Sequence, residues 1–216
     1  MDDLSIKIQQ ALLPENRDRV GEKAHSEMIG YKRPVGQKLR SEIPDDARES
    51  GVMMLITPIE GILSTVLILR STYKGVHSAQ VSFPGGKKEG SDSSLKETAM
   101  REANEEVGLN TDQIQYLGAL SEVYIPPSNF IVQPHVFIAI ANQELEKDPR
   151  EVADIIYFPL RTGLLEADLR EHPIELPNGM TINAKAFHHQ GHVIWGATAM
   201  MLNEFKHLAL EYDFPL

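Results

Sequence analysis

The sequence predicts an α/β fold, with a mixed sheet held between helices. Three observations carry this expectation: two β-branched and aliphatic runs early in the chain, a capped acidic helix in its middle, and an amphipathic helix near its end. Leu4 to Leu13 has helical spacing and stops before Pro14, which cannot continue a helix interior. Residues 14–50 are charged with scattered apolar positions and predict a peripheral arm, whose Tyr31-Lys32-Arg33-Pro34 is a solvated extended segment or touches substrate or a second subunit. From Gly51 the pattern turns strand-rich. Val52 to Thr57 and Ile62 to Leu69 read as buried strands, followed by a short strand near Gln80 to Phe83. Residues 51–69 carry a single charge, Glu60, and approach a membrane span in length, but Pro58 and Glu60-Gly61 interrupt the run and favour strand-turn-strand.

The helix Leu95 to Val107 comes next. Ser94 caps it, Glu97 three residues on completes a capping box, and Gly108 sits where a left-handed stop is expected. Strand character returns in Tyr116 to Val123, Val132 to Ala141 and Ile155 to Phe158, with Pro126-Pro127-Ser128-Asn129 as a fixed loop that can shape substrate access. A last helix spans Gly196 to Leu210, its stripe formed by Met201, Leu202, Phe205, Leu208 and Ala209. Trp195, just before it, reads as a core residue.

A chain of 216 residues with 42% hydrophobic content can bury a sizeable core. It divides into an N-terminal helix and peripheral arm, 1–50, and a main domain, 51–216. The net charge of −10 argues against broad binding of nucleic-acid backbones. Absence of cysteine suits the cytoplasm, and Asp2 and Asp3 at the start do not resemble an export signal, so a cytoplasmic protein without a membrane partner is expected.

Within the acidic helix, at roughly 100° per residue, Leu95, Ala99, Ala103 and Val107 share an apolar arc. Glu102 and Glu106 fall on or near that arc and Glu105 lies beside it. Crowded carboxylates raise one another's pKa unless a cation compensates them, and oxygen donors without cysteine suit a hard ion such as Mg²⁺. A solvated Glu-rich face is the alternative. The surroundings favour the metal reading: Gly85-Gly86 before the helix, Arg101-Glu102 opening the acidic run, and Gly108-Leu109 closing it. His188, His189 and His192 lie close together, but no helical frame, cysteine or acid is woven through them, so they read as a loop or strand end lining the cleft rather than a transition-metal site.

Arg101-Glu102-Ala103-Asn104-Glu105-Glu106-Val107-Gly108-Leu109, behind Gly85-Gly86, resembles the Nudix box, G-x5-E-x7-R-E-U-x-E-E-x-G-U, with U bulky and aliphatic. The loop carries one extra residue, so Asp92 stands in for the first Glu; either Asp92 or Glu97 pairs with Arg101. Leu69-Arg70-Ser71, Val81-Ser82-Phe83-Pro84-Gly85-Gly86 and Ile194-Trp195-Gly196-Ala197-Thr198-Ala199 are similar to the coenzyme A pyrophosphatases of that superfamily. Their R-S-x3-R-x3-G-x3-F-P-G-G frame here has Gly75 at the second arginine and Ala79 at the glycine.

The resemblance implies a Nudix α/β/α sandwich, a Mg²⁺ or Mn²⁺ cofactor, and cleavage of coenzyme A or acyl-coenzyme A to 3′,5′-adenosine bisphosphate and (acyl) phosphopantetheine. Glu102, Glu105 and Glu106 would be the metal ligands, with Glu102, Glu105 and Arg101 in the catalytic machinery. Arg70, Gly85, Gly86 and Lys87 would meet the substrate, with Lys88 either beside them or simply solubilising. The general base is Glu105 or an acid outside the box, and Glu151 is such an acid or an ordinary surface glutamate. Gly75 favours a second substrate class, another nucleoside diphosphate derivative such as ADP-ribose or a dinucleotide. A Nudix-fold nucleotide sensor is the non-catalytic alternative, and a homodimer is expected by family analogy.

Overall fold

The computed structural model describes residues 3–28, 43–72, 79–167, 169–175 and 179–216; Tyr31-Lys32-Arg33-Pro34, Lys74 and Gly75 lie outside the described residues. Helix α1 spans Asp3–Ala11 and a second helix, α2, spans Pro14–Glu27. The sequence predicts a charged arm from residue 14, and the structure places a helix there instead. Pro14 opens it in the first turn, where its missing N–H is not needed. Val20, Ala24 and Met28 recur every fourth residue and are buried, so a narrow apolar stripe is enough to hold the helix against α4, Gly196–Glu211.

Strands β1, Arg48–Ile59, and β2, Ile62–Arg70, form a hairpin over the two-residue turn Glu60-Gly61, both in the left-handed region. The remaining strands of this sheet are β3, Val81–Ser82; β4, Gly85–Lys87; β5, Ile114–Ala119; β6, Val123–Ile125; β7, Phe130–Ala139; and β8, Val152–Pro159. Their path runs β3-β2-β1-β7-β5, with β4 on β1, β6 on β7 and β8 on β2. β1 and β7 are parallel and the other pairs antiparallel, which makes the sheet mixed. β1 runs through Pro58 because its pairing with β7 ends at Ile56, beyond which a missing N–H breaks no ladder on that side. The single strand expected over Tyr116 to Val123 is broken into β5 and β6 around residues 120–122, although both pair with β7.

Both faces of the sheet are covered. Met53, Leu55, Val66, Ile68 and Phe137 meet Ala99, Ala103 and Val107 of helix α3, Leu95–Val107. The alternating residues Met54, Ile56, Leu67, Val136 and Ile138 meet α1, α2 and α4 through Ile8, Val20, Leu202 and Phe205. Burial on both faces is why β1 and β2 read as continuous apolar runs rather than alternating ones. The expected α/β/α arrangement, a mixed sheet between helices, is therefore present.

A second sheet, absent from the sequence reading, contains β9, Arg170–Glu175, β10, Thr181–His189, and β11, His192–Ile194, in antiparallel order β11-β10-β9. His189 faces His192 across the β10–β11 hairpin, and its Nε2 lies 3.0 Å from the Tyr157 carbonyl. The histidines thus form a strand end, as expected, and among the described residues they build no metal cluster. Trp195, expected in the core, is only half-buried at the entrance to α4. No helix among the described residues is long and apolar enough to cross a membrane, and the 51–69 run is the β1–β2 hairpin.

The helical layer is tied together by a buried polar knot. Glu204 on α4 is fully buried; one carboxylate oxygen accepts from the Ser121 N–H at 2.9 Å and hydroxyl at 2.8 Å, and the other lies 2.8 Å from His25 Nε2 on α2. A Cβ on Gly21 would strike Ser121 Oγ at 2.3 Å, so glycine is what lets α2 approach this closely. Serine, histidine and glutamate meet here, but the hydroxyl donates to the carboxylate rather than to the imidazole, so no nucleophile is activated. Glu204→Ala strands the Ser121 N–H and hydroxyl and His25 Nε2, all buried, and should lower stability by about 3 kcal/mol, read as a lower urea midpoint at unchanged slope.

Candidate active site

The glycine loop and α3 are fastened together by backbone contacts that exclude side chains. Ser94 Oγ accepts from the Glu97 N–H and Gly108 ends the helix at φ 65°, as the sequence predicts. Gly51 lies so close under the start of α3 that a Cβ would meet the Leu95 carbonyl oxygen at 2.1 Å. Gly86, opposite Gly51 in the β1–β4 pairing, supports the Glu102 carboxylate; a Cβ there would lie 2.3 Å from its Oε1.

Arg101 is the hub of the loop. It grips Asp92 with two parallel bonds, Nε to Oδ1 and Nη2 to Oδ2, both 3.0 Å. Its Nη1 also donates to Glu102 Oε1 at 3.0 Å and Glu105 Oε2 at 3.2 Å, and its Nη2 to the Lys87 carbonyl at 3.2 Å. The choice between Asp92 and Glu97 is thereby decided for Asp92. Glu97 instead accepts from the Ser93 N–H at 2.9 Å. The Arg101 hydrogen bonds hold the Asp92 carboxyl far below the usual range, and the Asp92 bonds raise Arg101 above its own.

Glu106 is 1% exposed. Its Oε2 accepts from the Gly85 N–H at 2.8 Å and its Oε1 from Arg70 Nη1 at 3.1 Å. Burial pushes its pKa up to about 7 against the opposing pull of Arg70 and the Gly85 N–H, with Glu102 and Glu151 adding repulsion. Burial also raises Glu102, which Arg101 pulls down and Glu105 and Glu151 push up. Glu151 reaches this cluster because the segment after β7 folds back over the end of α3: Glu146 N–H donates to Val107 O at 3.0 Å and Asp148 N–H to Glu106 O at 2.9 Å. The Ser71 N–H then donates to the Glu151 carbonyl at 2.9 Å, beside Arg70.

Arg70, Gly85, Gly86, Lys87, Arg101, Glu102, Glu105 and Glu106 therefore belong to one connected site. Sequence reasoning placed Arg70 on substrate and missed its pairing with Glu106, because nothing local joins residues so far apart in the chain. Glu105 is the outlier, its side chain 58% exposed and turned to Arg101. Among the described residues no three of histidine, cysteine, aspartate and glutamate converge into a preformed metal cage. The Glu102 and Glu106 pair nonetheless fits a hard divalent cation: the donors are carboxylate oxygens, Glu106 is buried and Glu102 half-buried, and burial raises the pKa of both, so a cation held by them would relieve what burial imposes.

A family model described as the NUDIX domain matches residues 47–176. Two relatives, both Nudix hydrolases named NudL, come from Photorhabdus laumondii and Yersinia enterocolitica. The first is 32% identical over 140 residues, covering 64% of this chain and 73% of that protein; the second is 34% identical over 139 residues, covering 63% and 69%. Among solved structures, the Nudix hydrolase RenU of M. smegmatis aligns with a TM-score of 0.51 at 17% identity, over 79% of this chain and 89% of that one. A MutT/nudix family protein from Enterococcus faecalis aligns at 0.50 and 13% identity, over 83% and 66%. The chain belongs to the Nudix family and is a pyrophosphohydrolase, acting on phosphoanhydride bonds.

Proposed function

We propose that this hydrolase cleaves the diphosphate linkage of coenzyme A or an acyl derivative, giving 3′,5′-adenosine bisphosphate and (acyl) phosphopantetheine. The observation that carries the proposal is the convergence of both ends of the Arg70 to Gly86 frame on one carboxylate, Glu106, through Arg70 Nη1 and the Gly85 N–H. That frame is the part of the sequence that resembles the coenzyme A pyrophosphatases.

Glu102 and Glu106 hold the divalent ion, with Glu105 completing the set or orienting a water. Bound there, Mg²⁺ or Mn²⁺ supplies neutralisation of the diphosphate oxygens and a more acidic water. Arg101 fixes the direction of Glu102 and Glu105, and the glycine backbone at 85–86 leaves room for phosphate oxygens. Arg70 positions Glu106 and keeps further guanidinium donors for the substrate. Water adds at one phosphorus, a carboxylate accepts its proton, and the bridging P–O bond breaks with the other phosphate as leaving group. Glu105 is the first choice for that base, and Glu151 is the acid outside the box whose charge also reaches the cluster.

Gly75, in place of an arginine of the frame, favours a second reading in which the substrate is ADP-ribose or a dinucleotide. Incubation with coenzyme A, acetyl-coenzyme A, ADP-ribose and NADH, with Mg²⁺ or Mn²⁺ and with chelator, separates the two when products are resolved by mass spectrometry. Phosphopantetheine release that stops with chelator is the expected result. Cleavage of ADP-ribose or NADH alone would transfer the proposal to the second class, and nucleotide binding without turnover would favour a sensor. Light scattering on the eluting protein tests the homodimer expected by family analogy.

A further inference from the structure

The segment that folds back over the end of α3 finishes in a tight turn, Asp148-Pro149-Arg150-Glu151. Aspartate first and proline second suit such a turn, because the carboxylate can bond forward to the main chain and the ring presets φ. The Asp148 carbonyl accepts from the Glu151 N–H at 3.1 Å and the Val152 N–H at 2.8 Å. Asp148 Oδ1 accepts from the Arg150 N–H at 2.9 Å, and the Arg150 guanidinium closes over the same carboxylate with Nε 3.0 Å from each oxygen. These bonds to Arg150 hold the Asp148 carboxyl down at about 2, so it stays an ionised acceptor. The Asp148 side chain is 18% exposed and that of Arg150 85%, so the carboxylate is the inner member of the pair.

Asp148 also fastens the turn to the candidate active site. Its N–H donates to the Glu106 carbonyl at 2.9 Å, in the last turn of α3, where helix carbonyls lack partners of their own. Three residues on, the Glu151 carbonyl accepts from the Ser71 N–H at 2.9 Å, next to Arg70, whose guanidinium bonds Glu106. Main-chain bonds thus pin Glu151 between the end of β2 and the last turn of α3, and its negative charge bears on both Glu102 and Glu106. The side chain that closes the turn carrying it is Asp148.

We infer that Asp148 is a positioning residue: by clamping the 148–151 turn against the Glu106 carbonyl, it holds the Glu151 carboxylate beside Glu102 and Glu106. The inference rests on the proposed placement of the cation at that pair, and adds a residue outside the box on which the charge around the cation depends.

A double-mutant cycle between Asp148 and Glu151 tests it, read as Mn²⁺ affinity by calorimetric titration without substrate. Glu151→Gln should weaken Mn²⁺ binding about tenfold, Asp148→Ala should weaken it by a similar factor, and the two together should do no more than either alone. Asp148→Asn keeps an acceptor for the Arg150 N–H and should restore most of the affinity. Asp148→Glu keeps the charge for Arg150 but sets it one methylene off the turn; it should behave as the alanine variant does, and replaces it if that variant does not fold. Losses that add, full affinity in Asp148→Ala or Glu151→Gln, or an asparagine variant as weak as alanine would overturn the inference. Absence of Mn²⁺ binding in the natural protein would remove the cation placement and the inference with it. Hydrolysis of coenzyme A, followed separately, reports on the proposed substrate: no hydrolysis with a non-additive cycle refutes the substrate and leaves the role of Asp148, and hydrolysis with an additive cycle refutes that role alone.

Discussion

Glu106→Gln is expected to lower turnover by about 1,000-fold or more while leaving the protein folded, because the amide keeps an acceptor for the Gly85 N–H and removes the charge that would hold the cation. Near-normal rates at saturating Mg²⁺ would remove Glu106 from the essential ligands. The same variant has a second signature in chelator. Burial places the Glu106 pKa at about 7 against an ordinary value of 4.5. An acid with a raised folded pKa binds more protons in the folded than in the unfolded state between those two values. Stability of the metal-free protein should therefore fall as pH rises through that window, by about 3 kcal/mol at most, and level off above it. Urea titrations at pH 5 and pH 8 measure the slope. The variant should lack it, so an equal slope in both proteins would contradict the assignment.

Gly86→Ala should cost about 100-fold in kcat with little loss of stability. The added Cβ would lie 2.3 to 2.6 Å from the Glu102 carboxylate, which is the far end of a flexible side chain and can swing away. Swinging away takes it off Arg101 and away from Glu106. Gly51→Ala is the contrasting control. Its Cβ would strike the Leu95 backbone oxygen at 2.1 Å, so strand and helix must separate and stability should fall first. Rates measured beside denaturation midpoints distinguish a displaced carboxylate from a loosened fold. A Gly86→Ala enzyme of ordinary kcat would show that Glu102 is not held against this glycine during turnover.

The parts of the molecule legible in the sequence are those written locally. Ser94, Glu97 and Gly108 mark the two ends of α3, and Glu60-Gly61 marks the turn of the β1–β2 hairpin, each within a few residues. The carboxylates of the box follow from their spacing on one helix. What escaped is non-local or weakly patterned. α2 has about one buried apolar residue per turn among many charges, and its stability comes from docking on α4 rather than from its own sequence. β9 and much of β10 are polar enough to read as loop. The bond from Arg70 to Glu106 and the contacts of Glu204 with Ser121 and His25 join positions that no periodic pattern relates. Asp92 lies in between: the sequence supplied it as one of two partners for Arg101, and only the loop's path chose it.

The knot at Glu204 has a consequence for how the chain is made. α1 and α2 leave the ribosome before α4, the helix that covers them. Until then the sheet face formed by Met54, Ile56, Leu67 and Val136 lacks part of its cover. Nascent chains halted before residue 196 should therefore engage chaperones and yield to protease, whereas chains that include α4 close that layer in a single step.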